Sequence, residues 1–326
     1  MEHSPGSGES SELCQPRIAV LVPCYNEEST IAAVVEDFKS ALPTAVVYVY
    51  DNNSRDRTVE LARAAGAIVR REPLQGKGNV VRRMFADVEA DIYVMVDGDA
   101  TYHAPSAPRL ISEMLDEKLD MVTGVRVTHI EAAYRPGHRL GNALLTNLVT
   151  AIFGRRTKDM LSGYRVFSRR FVKSFPALAG GFETETELTV HALELRMPMG
   201  EVETPYKDRP QGSVSKLSTY QDGFGILWMI MRLVKEERPM SFFGVASGLL
   251  AALSLALAAP IVVTYMQSGL VPRLPTAVLA TGMMILSFLA LTCGFILDTV
   301  TRGRREIKRL RYLDIPAPDF VSSEST

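Results

Sequence analysis

Val94 to His103 reads VMVDGDATYH, an apolar run followed by Asp97 and Asp99 with only Gly98 between them. Residues i and i+2 of an extended segment point the same way, so both carboxylates can address one ligand, and the glycine leaves room for close backbone approach. Two unshielded carboxylates at that spacing repel. A divalent cation relieves the repulsion, and one or two carboxylates plus phosphate oxygens is how Mg²⁺ is usually held. The alternative Ca²⁺ loop, D-x-D-x-D-G with a distal Glu, is not matched. The reading is therefore Mg²⁺ or Mn²⁺ on Asp97 and Asp99, bridging to a phosphorylated substrate; the plain alternative is a strand that ends in water. His103 is either a third ligand or a solvent-facing loop histidine.

Two further polar clusters also follow apolar runs: Asn26 and Glu27 after Arg17 to Pro23, and Asp51 to Asn53 after Val46 to Tyr50. Between the runs the hydrophobic spacing turns helical, over 29–42, 56–65 and 78–88, with further strands at 67–71 and 92–96. Alternation of this kind predicts an α/β domain with a parallel sheet covered on both faces. Ligands of such sheets bind outside the carboxyl ends of the strands, where all three clusters fall. Lys77, between two glycines at a helix start, is either a cation for that rim or a solvated turn residue.

The rest of the chain limits what the rim can serve. Its 326 residues, 47% of them hydrophobic, suggest about two domains, and a net charge of -1 provides no basic field for nucleic acid. Cys14, Cys24 and Cys293 form no CxxC and read as free thiols on a reducing, cytosolic face. Residues 1–16 are polar, lack the features of a secretory signal and are expected to be disordered.

Phe242 to Tyr265 and Thr276 to Leu297 are each about 20 largely apolar residues without an internal charge, the length a bilayer requires. Basic flanks, RLVKEERP before and RGRREIKRLR after, place both ends of this hairpin in the cytosol. Phe224, Leu227, Trp228 and Met231 give Lys216 to Arg238 the pattern of an amphipathic helix in the membrane interface. The expected division is a tail over 1–16, a cytosolic domain over 17–215, an interfacial region over 216–240, a transmembrane hairpin over 241–300 and a basic cytosolic tail over 301–326. Gly244 and Gly248 have the G-x-x-x-G spacing that permits a homo-oligomer.

Taken together, these residues resemble the family 2 glycosyltransferases of the polyprenyl-phosphate type, which include dolichyl-phosphate mannose synthases and bacterial polyprenyl-phosphate glucosyltransferases. The resemblance covers about Arg17 to Arg238 and rests on VPCYNEE, YDNNSRDRT, GKGNVVR, DGD, LSGYRVFSRR, FETETEL and RPQGSVSKL. Asn52 departs from the pattern, since the family often has a second aspartate there.

The resemblance implies a GT-A fold, a nucleotide-sugar donor and a polyprenyl phosphate acceptor at the inner membrane. It implies a donor site of Pro23, Tyr25, Glu27, Asp51, Asn53, Lys77, Asp97 and Gly98, with Asp51 accepting from the base and Glu185 orienting sugar hydroxyls. Arg126, Arg165, Arg209, Ser215 and Lys216 are implied to hold the acceptor phosphate, and Asp99, Arg126, Arg165 and Lys216 to carry catalysis. UDP-glucose is favoured over GDP-mannose by similarity to the two-span branch. A processive polysaccharide synthase fits less well, since Q-x-x-R-W is missing. A noncatalytic scaffold or lipid-carrier translocase has no use for both acids of DGD together with Lys77 and Arg165, and the spans offer no charged transport path.

Overall fold

The computed structural model describes residues 16–127, 150, 157–178, 183–207, 231–232 and 234–316. The described residues fall into two compact units, one of 16–127, 157–207 and 311–316, the other of 231–310 together with residue 150.

In the first unit the chain alternates as its hydrophobic pattern predicts: β1 (Ile18–Cys24), α1 (Ile31–Ala41), β2 (Val46–Asp51), α2 (Thr58–Ala64), β3 (Ile68–Arg71), α3 (Lys77–Asp87) and β4 (Ile92–Met95). β1 and β4 are almost wholly buried, which is why they read as unbroken apolar runs. α1 buries Ile31, Val34, Val35 and Phe38, the i, i+3, i+4 and i+7 stripe of a helix that covers a sheet.

The second half adds α4 (Ala107–Asp116), β5 (Met121–Val127), β6 (Arg165–Ser168), α5 (Arg169–Ser174), α6 (Thr184–Leu195) and β7 (Met199–Pro205). The seven strands are ordered β3-β2-β1-β4-β6-β5-β7. The sheet is mixed rather than parallel throughout. β3, β2, β1 and β4 run parallel, while β6 is antiparallel to both β4 and β5. The expected parallel sheet drew on the first half of the chain, where the pattern is regular. Ser168 ends β6 by capping α5, accepting from the Phe171 N–H at 3.2 Å, so this strand turns directly into a helix.

From β1 the chain winds outward to β2 and β3, then returns to start β4 on the other side of β1. Strand order reverses between β1 and β4, and a crevice opens at their carboxyl ends. That crevice receives the ends of β1, β2 and β4.

Far from it in sequence, residues 311–316 complete the same unit. Asp120 is fully buried just ahead of β5 and accepts from the Ser168 hydroxyl at 2.7 Å, the Arg170 Nη2 at 2.9 Å and the Tyr312 hydroxyl at 2.8 Å. The Arg170 guanidinium lies 4.9 Å over the Tyr312 ring. A buried carboxylate is tolerated only when paired and hydrogen-bonded, and Tyr312 supplies part of that.

The second unit holds a helical hairpin of α7 (Pro239–Ser268) and most of α8 (Leu274–Leu313), both long and apolar enough to cross a bilayer. α8 continues well past Leu297, where the expected span ends, and into the basic tail expected from residue 301. No proline intervenes, Asp298 pairs with Arg302 at i,i+4, and basic residues suit a helix C-terminus. The buried residues of α8 are Ala280, Ser287, Gly294 and Thr301, spaced by seven, and those within α7 include Ser247 and Ser254. Ser247 and Ser287 hydroxyls meet at 3.0 Å and the Ser254 hydroxyl donates to the Ala280 carbonyl at 2.7 Å. A small-residue seam with interhelical hydrogen bonds is how helices associate where solvent offers no hydrophobic drive. Gly244 and Gly248 lie outside it, with nothing within 4 Å of where a Cβ would stand.

Replacing Tyr312 with Phe keeps the ring and deletes one bond to a buried carboxylate. A loss of about 1.5–3 kcal/mol is expected, read as a lower unfolding midpoint, whereas an unchanged midpoint would mean the hydroxyl contributes nothing.

Candidate active site

Lys77 occupies the centre of the crevice. As the first residue of α3 it sends its ammonium into the space beyond β4, where it pairs with Asp97 Oδ1 at 2.5 Å and with the Glu185 carboxylate. Glu185 is buried in the first turn of α6, so one ammonium ties together the start of α3, the residues just past β4 and the start of α6. Burial pulls a lysine pKa down, but the two carboxylates more than offset it and hold Lys77 above the ordinary lysine range. The charge it contributes is therefore present throughout neutral pH and is lost only above that range.

Asp97 lies just past β4 and is held from its other side by Gly163. A Cβ on Gly163 would overlap Asp97 Oδ2, so only glycine lets this carboxylate lie where it does. The Gly163 N–H donates to the Tyr102 hydroxyl at 2.8 Å, and the neighbouring Ser162 hydroxyl donates to the Gly124 carbonyl at 2.6 Å. Burial, with the nearby Asp97 charge, pushes the Tyr102 hydroxyl pKa well up, keeping it a neutral partner. Sequence reasoning singled out the segment LSGYRV for its arginine; the glycine before Tyr164 does at least as much for the site.

Asp99 is 4% exposed and sits in a turn, with its Oδ1 accepting from the Thr101 hydroxyl at 2.6 Å and the Thr101 N–H at 3.3 Å. The segment is a strand end followed by a turn, not a continuous extended run. Gly98 also differs from its expected role. Its missing side chain faces inward, where a Cβ would come within 2.8 Å of Cys24 Sγ, so it closes the core under the turn. The Thr30 hydroxyl donates to the Gly98 carbonyl at 2.7 Å and fixes the turn to the start of α1.

Pro23, Tyr25 and Glu27 are half-buried where β1 ends. The Glu27 N–H donates to the Thr58 hydroxyl at 2.8 Å and the Asn26 N–H to the Ser54 hydroxyl at 2.9 Å, knitting the loops after β1 and β2 together. Asp51 is buried at the end of β2, accepts from the Ser54 N–H at 3.1 Å, and lines a cavity of about 340 Å³ with Ser54, Arg70 and Arg71. Asn53 is turned toward the loop before α3, its amide donating to the Pro73 carbonyl at 2.8 Å.

The arginines differ most from expectation. Arg165 was expected to hold an acceptor phosphate, but it is 0% exposed. Its Nε donates to the Ser162 carbonyl at 2.9 Å, Nη2 to the Met160 carbonyl at 2.6 Å and Nη1 to the Thr189 hydroxyl at 2.8 Å. Burial lowers its pKa, and no carboxylate contacts it among the described residues. It holds residues 160–162 in place beneath Gly163 rather than meeting a ligand. Arg126 grips Asp159 with both arms of its fork, at 2.7 and 2.8 Å, and lies 5.5 Å over the Tyr206 ring, so phosphate would have to share it. Arg209, Ser215 and Lys216 lie outside the described residues, as does most of the expected interfacial helix. His103 shares a hydrogen bond of 2.9 Å between its Nδ1 and the Ser106 hydroxyl, within a short 3-10 turn.

Among the described residues no group of three or more His, Cys, Asp or Glu side chains gathers as a ligand set. Asp97, whose side chain is partly open, and Asp99, buried in the turn, carry the hard carboxylate oxygens that would hold a Mg²⁺ or Mn²⁺.

Comparison with known proteins agrees with this geometry. Residues 19–175 match the model of glycosyl transferase family 2. Over 310 residues, 91% of this chain and 98% of the relative, the chain is 33% identical to glycosyltransferase AglJ of Haloferax volcanii. It is 27% identical over 221 residues, 68% of this chain and 95% of the relative, to a dolichyl-phosphate hexose transferase of the same organism. Glucosyl-3-phosphoglycerate synthase from Mycobacterium tuberculosis, solved with Mn²⁺, UDP-glucose and phosphoglyceric acid, aligns with a TM-score of 0.54 at 23% identity, covering 70% of this chain and 85% of that one. This last likeness is one of fold, the GT-A arrangement of the mixed sheet.

Two substitutions test the architecture. Gly163→Ala displaces Asp97 and is expected to lower sugar transfer at least about a hundredfold while the unfolding midpoint moves little. Arg165→Lys cannot reach three acceptors from one nitrogen and is expected to destabilise the protein by about 2–3 kcal/mol in denaturant titration.

Proposed function

This chain belongs to glycosyl transferase family 2, and on that premise we propose that it is a hexosyltransferase that moves a sugar from a UDP-sugar, UDP-glucose by preference over GDP-mannose, to a polyprenyl phosphate. The observation that carries the reading is Lys77 held between Asp97 and Glu185 at the carboxyl end of β4, in a chain that also has two bilayer-length helices. The similarity to a dolichyl-phosphate hexose transferase supports the lipid acceptor. The complex of glucosyl-3-phosphoglycerate synthase supports a UDP-sugar and a divalent cation for the fold.

The donor lies across the ends of β1, β2 and β4. Asp51 accepts from the base, with Pro23, Tyr25 and Glu27 forming the wall around the nucleoside. Asp97 and Asp99 hold Mg²⁺ or Mn²⁺, which when bound acts as a Lewis acid toward the departing diphosphate. Lys77 adds a fixed positive charge where negative charge develops as the anomeric bond breaks. Glu185, besides anchoring Lys77, faces the same space and accepts from sugar hydroxyls.

A polyprenyl phosphate is ionised at neutral pH, so its oxygen attacks without first losing a proton to a general base. It needs cations to counter its charge, and Arg209, Lys216 and the Ser215 hydroxyl are assigned that role, with Arg126 contributing from its pair with Asp159. Attack comes from the face opposite the diphosphate, and the anomeric configuration inverts. α7 and α8 anchor the enzyme as a multi-pass protein of the inner membrane, with the sheet unit and both termini on the cytosolic side, where nucleotide sugars are found.

The assay is full-length protein with undecaprenyl phosphate and a panel of nucleotide sugars, with Mn²⁺ or with a chelator. A β-linked lipid product from α-linked UDP-glucose is expected, with Asp99→Asn reducing transfer at least about a hundredfold in a folded protein. Transfer undiminished by chelator would remove the metal from the mechanism, and an α-linked product would remove the single displacement.

A further inference from the structure

At Asn52 the sequence departs from the family pattern, and what surrounds it explains why an amide suits the position. The side chain is 4% exposed and spends its hydrogen-bonding groups on the loop between β3 and α3. Nδ2 donates to the Glu72 carbonyl at 2.9 Å and to the Leu74 carbonyl at 2.8 Å, while Oδ1 accepts from the Gly76 N–H at 2.7 Å. The loop ends on Gly76 at φ 128, a conformation that L side chains rarely adopt, and the next residue is Lys77. Glu72 shapes the same turn, its carboxylate accepting from the Leu74 N–H at 2.7 Å.

The chemistry at Asn52 is specific to an amide. An aspartate of the same size has acceptors only when ionised, so it would face two carbonyl oxygens without a proton to offer either. The donors of Asn52 are turned toward the backbone of this loop, and none of its three bonds leaves room for a base-recognition role.

We infer that Asn52 is a positioning residue for Lys77. By fixing residues 72–76 it sets where α3 begins, and so places the Lys77 ammonium between Asp97 and Glu185 and, with donor bound, beside the diphosphate. The inference rests on the donor-site reading of Lys77 given above.

A double-mutant cycle separates the two. Asn52→Asp and Lys77→Met are combined in the full-length protein, and the dissociation constant for UDP with Mn²⁺ is measured by calorimetry beside the KM for UDP-glucose. Lys77→Met is expected to weaken UDP about thirtyfold and Asn52→Asp about tenfold, with the double variant within about twofold of Lys77→Met, because one residue acts through the other. Losses that multiply would overturn the inference, as would wild-type affinity in Asn52→Asp. Unchanged UDP binding in Lys77→Met would instead overturn the donor-site reading itself, and the inference with it. Asn52→Ala deletes the three bonds without setting a charge against the carbonyls. It runs through the same cycle with the same expectation should circular dichroism show Asn52→Asp unfolded.

Discussion

An ammonium taken out of water needs compensation, and Lys77 finds it in two carboxylates, one 20 and the other 108 residues further along the chain. Removing water from an ion costs several kcal/mol, which only close, well-directed partners offset. That requirement explains the rest of the crevice. Gly163 is a glycine so that Asp97 can stand close enough, Arg165 is buried so that the loop carrying Gly163 stays in place, and α6 begins where Glu185 can reach in. With Asp97 and Glu185 set against a single ammonium, the carboxylates outnumber the one positive charge they enclose.

The first half of the fold was readable because its local signals agree. Apolar β-branched runs, amphipathic stripes and polar strand ends all point to one alternation, and the elements from Ile18 to Met95 fall within a residue or two of their expected limits. The polar residues Asn26, Asp51, Asp97 and Asp99 were likewise readable as types that follow strands. What the sequence did not show was direction. An arginine that binds phosphate and an arginine that props a loop look alike in a string of letters, and only full enclosure distinguishes Arg165. The antiparallel β6 was equally hidden, because strand direction depends on the path of the intervening chain. The partner of Arg126, Asp159, stood out in no motif.

The hairpin shows the opposite case, in which composition is informative and the boundary is not. Apolar length located both helices, yet the seven-residue spacing of Ala280, Ser287, Gly294 and Thr301 identifies the face that meets the partner helix. Large side chains such as Leu249, Leu253, Phe288 and Phe295 point outward, and the hydroxyls point in. In water that would be an inverted protein; in hydrocarbon it is the expected arrangement, because only the polar groups need shielding.

The cluster of Asp120, Arg170 and Tyr312 bears on how this protein can be taken apart. Its sheet unit is not one continuous stretch of chain, since it includes the last residues of α8, where Tyr312 supplies the hydroxyl that reaches Asp120. Ending the chain ahead of the apolar helices, the usual route to a water-soluble catalytic fragment, would also discard those residues and open a buried carboxylate to solvent. An excised domain that keeps the native closure must therefore splice residues 311–316 back onto the sheet unit.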